Sequence, residues 1–395
     1  MAIFVSCKSS NNSLADSVEQ TKQVEGEPAA IQLGAERMDQ YLKALQGKRV
    51  ALVVNQTSVI GKTHLVDTLL QLGVDIKKVF APEHGFRGNH SAGAIIKDGK
   101  DLKTSLDVVS LYGINKKPSA AMLADVDVVI FDIQDVGVRF YTYISTMHYV
   151  MEACAELDKE VIVLDRPNPN GYYIDGPILD PEYKSFIGMH AIPIVHGLTV
   201  GELAQMINGE KWLKNEVVCN LKVVPCLNYT HDSLYKLPVR PSPNLPNMNA
   251  VYLYPYLGLF EGTNVSIGRG TDSPFQIIGR PGAEGSFSFT PRSIPGVSDN
   301  PKHLGKECVG EVIPDFLNGH ILDQNTLNLN WLIQMYETNR TEDGEYFKDF
   351  FYKLAGNKEL RFQIESGMSD AAIRKTWQPA LDKYEVKRKM YLLYP

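Results

Sequence analysis

The sequence predicts an α/β protein, with a Rossmann-like parallel sheet domain followed by a smaller α+β domain. Three features predict it. Short apolar runs alternate with stretches of helical periodicity, which is how βαβ units and a parallel sheet read in sequence. Each run gives way to a polar loop, and in a parallel sheet such loops gather at one edge, where open α/β folds bind ligands. Leu237 to Pro246 then holds four prolines in ten residues, a linker or rigid wall at which one domain gives way to the next.

The elements follow in order. Gly34 to Leu45 is expected to form a short helix. Arg49 to Val54 is continuously apolar, as a strand buried on both faces must be, and it ends in Asn55-Gln56-Thr57-Ser58. Leu65 to Leu72 has helical spacing and stops at Gly73. Ile76 to Phe80 is a second strand, leading into Pro82-Glu83-His84-Gly85-Phe86-Arg87-Gly88. Pro82 cannot donate to a sheet ladder, so the strand ends there. Asp107 to Leu111, Val126 to Phe131, Glu160 to Leu164 and Leu221 to Val224 supply further strands. Helices are expected over Thr142 to Leu157 and Thr199 to Asn208. Past the prolines, helical patterns lie near Trp331 to Tyr336, Tyr346 to Leu354 and Asp370 to Thr376, with a final helix carrying Lys383 to Tyr391.

At 395 residues the chain is too long for one ordinary core. It is expected to divide into residues 1–30, a disordered tether; 31–236, the Rossmann-like domain; and 237–395, a domain that closes the cleft. A net charge of -6, with no basic run, argues against a nucleic-acid partner. Ile3-Phe4-Val5-Ser6-Cys7 resembles the end of a bacterial lipoprotein signal, with Cys7 as the lipidated residue and Lys8 to Pro28 as the tether. That places the protein in the periplasm or at the outer membrane. Cys154 reads as a buried small hydrophobe, and a Cys219–Cys226 bridge is open.

Candidate chemistry sits in the strand-end loops. Glu83, beside a proline and a phenylalanine, is set to be partly desolvated, which favours the proton-donating form of a carboxylate and suits a general acid. His84 would orient it or bind substrate. Asp132, Gln134 and Asp135 come after the fourth strand and offer hydrogen bonds to sugar hydroxyls, as do Asn55, Arg139 and Tyr141. Asp132 and Asp135 with His84 or His90 are the one arrangement that suggests a metal, but no metal-ligand spacing supports it. Asp165-Arg166-Pro167-Asn168-Pro169-Asn170-Gly171 is a stiff loop of donors and acceptors, including Arg166 and Asn168. Gly268-Arg269-Gly270-Thr271 lacks the third glycine of a dinucleotide fingerprint and does not open the first βα unit. No G-x-S-x-G elbow exists, so neither a nicotinamide enzyme nor a serine hydrolase is expected, and no cofactor is.

The loops just quoted, together with Phe131 to Tyr141, Pro241-Ser242-Pro243-Asn244-Leu245-Pro246, Glu261-Gly262-Thr263, Ile364-Glu365-Ser366-Gly367 and Tyr391-Leu392-Leu393-Tyr394, resemble the exo-β-N-acetylmuramidase family of bacterial peptidoglycan glycoside hydrolases. The likeness runs from about Gly34 to Tyr394. It implies release of non-reducing terminal N-acetylmuramic acid from peptidoglycan fragments, with the site in a cleft between two domains and Glu83 as the catalytic glutamate. The second catalytic group stays open among Asp132, Asp135 and Glu261, or the substrate's own acetamido group. Arg87, Arg166 and Arg269 are the candidates for the lactyl carboxylate. The competing expectation is a muropeptide-binding lipoprotein of the same shape that does no chemistry.

Overall fold

The computed structural model describes residues 1, 29–87, 98–317, 325–340 and 346–395. The chain divides into two compact units, Met1–Ala30 and Ile31–Pro395. Cys7 and the tether, Gly88 and His90 lie outside the described residues.

Among the described residues, the central sheet has seven strands. In chain order they are β1 (Arg49–Val54), β2 (Asp75–Ala81), β3 (Gly99–Lys100), β4 (Asp107–Ser110), β5 (Val128–Asp132), β6 (Glu160–Leu164) and β7 (Asn220–Val224). Their spatial order is β3-β4-β2-β1-β5-β6-β7, with every pairing parallel except that of the short β3 with β4. Without β3, this is the doubly wound order in which the chain starts in the middle and winds outward both ways. The central strands β1, β5 and β6 are apolar at nearly every position because both faces are covered. Ala51 and Val53 of β1, Val129 and Phe131 of β5, and Val161 and Val163 of β6 share one core cluster. Their alternates Val50, Leu52, Val54, Val128, Ile130, Ile162 and Leu164 share the other, as the two-residue period of a strand requires.

Helices α1 (Leu65–Gln71), α2 (Tyr143–Glu156) and α3 (Val200–Gly209) make the crossovers. The start of α3 is fixed by a capping box: Thr199 Oγ1 accepts from the Glu202 amide, and Glu202 accepts from the Thr199 amide. The helix expected over Gly34 to Leu45 is instead two 3₁₀ turns (Gly34–Glu36 and Met38–Gln40) and a single turn, Leu42–Leu45. Tertiary contact decides this. Gly34 lies so close to the sheet edge that a Cβ there would come within 2.3 Å of the Val224 carbonyl oxygen, and its amide donates to the Asp165 carbonyl at 3.0 Å.

The C-terminal region has α4 (Met248–Leu257), a 3₁₀ turn over Gly258–Gly262, and a three-stranded antiparallel sheet of β8 (Ile277–Arg280), β9 (Phe287–Phe289) and β10 (Cys308–Val312). Helices α5 (Asn330–Asn339), α6 (Phe350–Ala355), α7 (Glu359–Glu365) and α8 (Asp370–Arg388) complete it. The sequence pattern divides α8 in two, but the helix is continuous. It runs through Pro379 because Ile373, Trp377, Leu381 and Tyr384, spaced four, four and three apart, form one buried face. The largest apolar cluster extends across residue 236, joining Phe131 and Val163 to Tyr254, Leu257, Phe347 and Trp377. Cys154, Cys219, Cys226 and Cys308 are all buried free thiols, so the Cys219–Cys226 bridge is not formed. Among the described residues, no helix is long and apolar enough to cross a membrane.

Candidate active site

Glu83 stands just past the C-terminal end of β2. The chain reverses immediately after Pro82: the Gly85 amide donates to the Pro82 carbonyl at 3.0 Å, and His84 (φ 68°) and Gly85 (φ 79°) both take left-handed conformations. For histidine this is a strained backbone of the kind that clusters at functional sites. His84 is buried and its Nε2 lies 3.2 Å from Ser242 Oγ, so the proline-rich segment supports the turn. Glu83 Oε2 accepts from the Thr142 hydroxyl at 3.2 Å. A second hydroxyl, that of Tyr112, bonds to Glu83, and burial together with that carboxylate pushes the Tyr112 phenol well above its usual range. Glu83 is thus oriented from the ends of two neighbouring elements, the loop after β4 and the start of α2.

Glu261 comes from the other half of the chain, on the 3₁₀ turn after α4. Arg269 Nη2 donates to Glu261 Oε1 at 2.6 Å, and the Arg269 guanidinium lies 5.0 Å from the centre of the Phe275 ring. Arg269 is carried between Gly268 (φ 78°) and Gly270 (φ 80°), both packed so closely that a side chain would clash. The glycines that hint at nucleotide binding in the sequence therefore serve to place an arginine.

These groups meet on the wall of one cavity of about 590 Å³. Glu83, Tyr112, Phe140 and Thr142 line it from the first half of the chain; Tyr254, Glu261, Arg269 and the loop from Ser298 to Lys302 line it from the second, with Phe350 and Leu354 of α6. A recess of about 70 Å³ adjoins it, sharing Glu83, Thr142 and Arg269 and adding His84, Tyr141 and Ser242. Of the predicted site residues, then, Glu83, Glu261, Arg269, His84 and Tyr141 come together.

The others are turned to structural work. Asp132 is fully buried and accepts a bidentate pair of bonds from Arg166, at 2.5 and 2.9 Å. Asp132 ends β5 next to β1, the point of a doubly wound sheet where the strand order reverses and a ligand ordinarily binds. Around it, Ser58 Oγ donates to the Asp132 carbonyl, the Gln134 amide donates to Thr57 Oγ1 at 3.0 Å, and Asn55 Oδ1 accepts from the Thr57 hydroxyl at 2.6 Å. Gln134 Nε2 is spent on the Pro167 carbonyl at 2.7 Å, and Asp135 accepts from the Gly137 amide at 2.7 Å. Arg139, also fully buried, donates to the carbonyls of Pro177, Ile192, Leu354 and Ala355 and so staples α6 to the first half. Arg87 is held by Asp101 at 3.1 and 2.8 Å. The Asn168 side-chain amide donates to the Leu198 carbonyl at 2.9 Å, and the Thr271 hydroxyl to the Gly268 carbonyl at 2.7 Å. Among the described residues, no cluster of three His, Cys, Asp or Glu is arranged to hold a metal ion.

Sequence reasoning missed Tyr112, Thr142, Tyr254 and Lys302. Tyr112 carried the same signal as Glu83, a polar group just past a strand of the parallel sheet; Lys302 carried none.

The model of the N-terminal domain of exo-β-N-acetylmuramidase NamZ matches residues 50–249, and that of its C-terminal domain matches 252–394. The chain belongs to the exo-β-N-acetylmuramidase family. It is 40% identical over 375 residues to the peptidoglycan β-N-acetylmuramidase NamZ of Bacillus subtilis, covering 90% of this chain and 89% of that protein. Two crystal structures of DUF1343 family proteins from Bacteroides fragilis share its fold. One is 46% identical with a TM-score of 0.86, covering 93% of this chain and 99% of the other. The second is 32% identical with a TM-score of 0.77, covering 92% and 99%. The two NamZ models divide the chain between residues 249 and 252, and Glu83 and Glu261 fall on opposite sides of that division.

Proposed function

We infer that the cavity carries out the family's reaction: an exo-acting glycosidase cleaves the bond joining a non-reducing terminal N-acetylmuramic acid to the rest of a peptidoglycan fragment. The observation that carries this is the meeting of Glu83 and Glu261, from the two halves of the chain, on one cavity wall. Glycoside hydrolysis ordinarily needs two carboxyl groups flanking the scissile bond, one to give a proton to the leaving oxygen and one to support attack at the sugar carbon. Glu83, on the cavity wall at the C-terminal edge of the sheet, takes the role of acid: its proton passes to the glycosidic oxygen as the C–O bond breaks. Glu261, held by Arg269, is the second carboxylate. Asp132 leaves the catalytic set, because Arg166 occupies both of its oxygens.

Arg269 reads the lactyl carboxylate. Arg87 and Arg166 are spent on aspartates, whereas Arg269 gives one bond to Glu261 and keeps further N–H donors on the cavity wall. The deciding experiment compares wild type with Glu83→Gln on aryl N-acetylmuramides of two leaving-group pKa values. Loss of general acid catalysis lowers the rate about 10²–10⁴-fold. The loss is smaller for the better leaving group. Equal losses on both would move the acid elsewhere, and no turnover by wild type would leave the binding-protein reading. A lipid anchor at Cys7 would hold the enzyme at a membrane facing the periplasm; the sequence Ile3-Phe4-Val5-Ser6-Cys7 supports it, and absence of labelled palmitate from Cys7 in expressing cells would refute it.

A further inference from the structure

The loop ending in Lys302 and His303 has a role that the two-glutamate chemistry does not account for. Lys302 Nζ donates to three carbonyl oxygens, those of Phe260 at 3.1 Å, Thr263 at 2.5 Å and Val265 at 2.8 Å. His303 Nε2 bonds the Asn264 carbonyl at 2.6 Å, from a left-handed backbone (φ 61°). Two adjacent side chains thus hold four carbonyls of the strap 260–265, which carries Glu261 near its start and leads on to Arg269. The same loop abuts the arginine's own turn: a Cβ on Gly270 would come within 2.5 Å of the Pro301 ring. Lys302 itself lines the cavity beside Glu261 and Arg269.

We propose that Lys302 is a positioning residue of the reaction, whose three-donor ammonium head holds the strap that presents Glu261 to the substrate. The inference rests on the reading of Glu261 as the second carboxylate. An ammonium is suited to the task because it has three N–H donors and three acceptors surround it. A neutral amine has two donors and a lone pair, which would face a carbonyl lone pair at the third position. The Phe260 carbonyl keeps the Thr263 amide and hydroxyl, but the Thr263 and Val265 carbonyls lose a donor, and a buried acceptor deprived of its donor is costly.

This makes the site sensitive to alkali. Burial pushes the Lys302 ammonium down to about 8, from an ordinary value of 10.5. The charged groups facing it are Glu261, which favours its protonation, and Lys348 and Arg269, which oppose it; His303 stands beside it. The active form is the protonated one, so kcat falls as pH rises through a value at or above about 8 and below 10.5. Arg269, which lies beyond the strap, still lines the cavity to bind substrate, so KM changes less than kcat.

The experiment measures kcat and KM for an aryl N-acetylmuramide from about pH 6 to the ordinary lysine value of 10.5, with folding followed at each pH by near-ultraviolet circular dichroism. Wild type is expected to show an alkaline fall in kcat while its spectrum is unchanged. Lys302→Met, which fills similar volume without donors, loses kcat on the order of 10–100-fold near neutrality with little change in KM, as expected for loss of a group acting through the reacting carboxylate. Lys302→Arg, permanently charged, recovers part of that loss and moves the alkaline limb upward. A wild-type kcat constant up to pH 10.5 overturns the proposal without any variant. So does Lys302→Met within twofold of wild type, or a Lys302→Arg limb that coincides with the wild-type one. Wild type inactive at neutral pH would instead defeat the glycosidase reading, and this inference with it.

Discussion

Each arginine near the site can be sorted by what its donors already hold. Arg166 and Asp132 form a pair with almost no exposure, and each keeps the other from being a buried lone charge. Breaking such a pair by removing one partner costs about 3–5 kcal/mol. Asp132→Asn is therefore expected to lower the urea midpoint sharply, and any activity lost should follow the fraction unfolded. Full stability with activity abolished would return Asp132 to the catalytic set. Arg269 is different because it faces the cavity. A charge-assisted contact to the lactyl carboxylate contributes roughly 1.5–3 kcal/mol. Arg269→Ala should therefore erode the preference for N-acetylmuramides over N-acetylglucosaminides by about one to two orders of magnitude in kcat/KM. An unchanged preference ratio, whatever happens to the absolute rates, rules the assignment out.

The 3₁₀ turn Gly258–Gly262 shows how an element's packing sets chemistry. It follows α4 directly, and Gly262 lies against the backbone of α6: a Cβ there would meet Phe351 Cα at 2.4 Å and its amide nitrogen at 2.7 Å. Backbone atoms cannot swing aside as a side-chain tip can. Gly262→Ala must separate the turn from α6, at a cost of roughly 1–3 kcal/mol, the usual range for overpacking. Glu261 is the adjacent residue, so kcat should fall while the purified variant remains folded. A variant with wild-type kcat would show that the turn has slack. The same close fit explains the sequence pattern Glu261-Gly262: the glycine is there for approach.

At the scale of the whole molecule, the two halves are laced by buried polar groups. Tyr394 donates to Asp165 at 2.6 Å and Trp377 to Asp175 at 2.9 Å, so the C-terminal segment returns to the first sheet. Within the first half, α2 buries His148 against His190 at 3.1 Å, with Glu152 and Lys117 close by. Burial pushes His148 down to about 4 and His190 well below its usual value. Both are neutral in the fold, whereas the unfolded chain protonates them below about 6.5. The unfolded state therefore binds more protons, and this contribution to stability is complete above about 6.5 and lost as pH falls towards 4. Asp165, raised by burial from 3.8 to about 6, works in the opposite sense between those values. The test is therefore a difference: urea midpoints of wild type and His148→Asn at about pH 7.5 and pH 5, on either side of the ordinary histidine value. The variant should lose less stability on acidification, and parallel losses would count against the histidine pair.

The apolar runs were enough to define the sheet. Arg49–Val54 and Glu160–Leu164 are strands over the residues predicted, because a strand buried on both faces has to be apolar at nearly every position. Glu83 was legible for a related reason: a proline stops the strand, and the residue after that proline must stand at the sheet's C-terminal edge. Which of the polar groups at that edge face the cavity was not legible. Asp132 and Glu83 look alike in sequence, both acidic and both at the end of a parallel strand. Only the fold puts Arg166, 34 residues further on, against one of them and sets the other on the cavity wall beside the Thr142 hydroxyl. Lys302 lay beyond sequence reasoning altogether, because its partners are backbone carbonyls, which every residue has and no motif records. The sequence determined where the strands run and which residues end them; tertiary structure decided which charged groups are buried against one another and which line the cavity, because that depends on contacts between residues far apart in the chain.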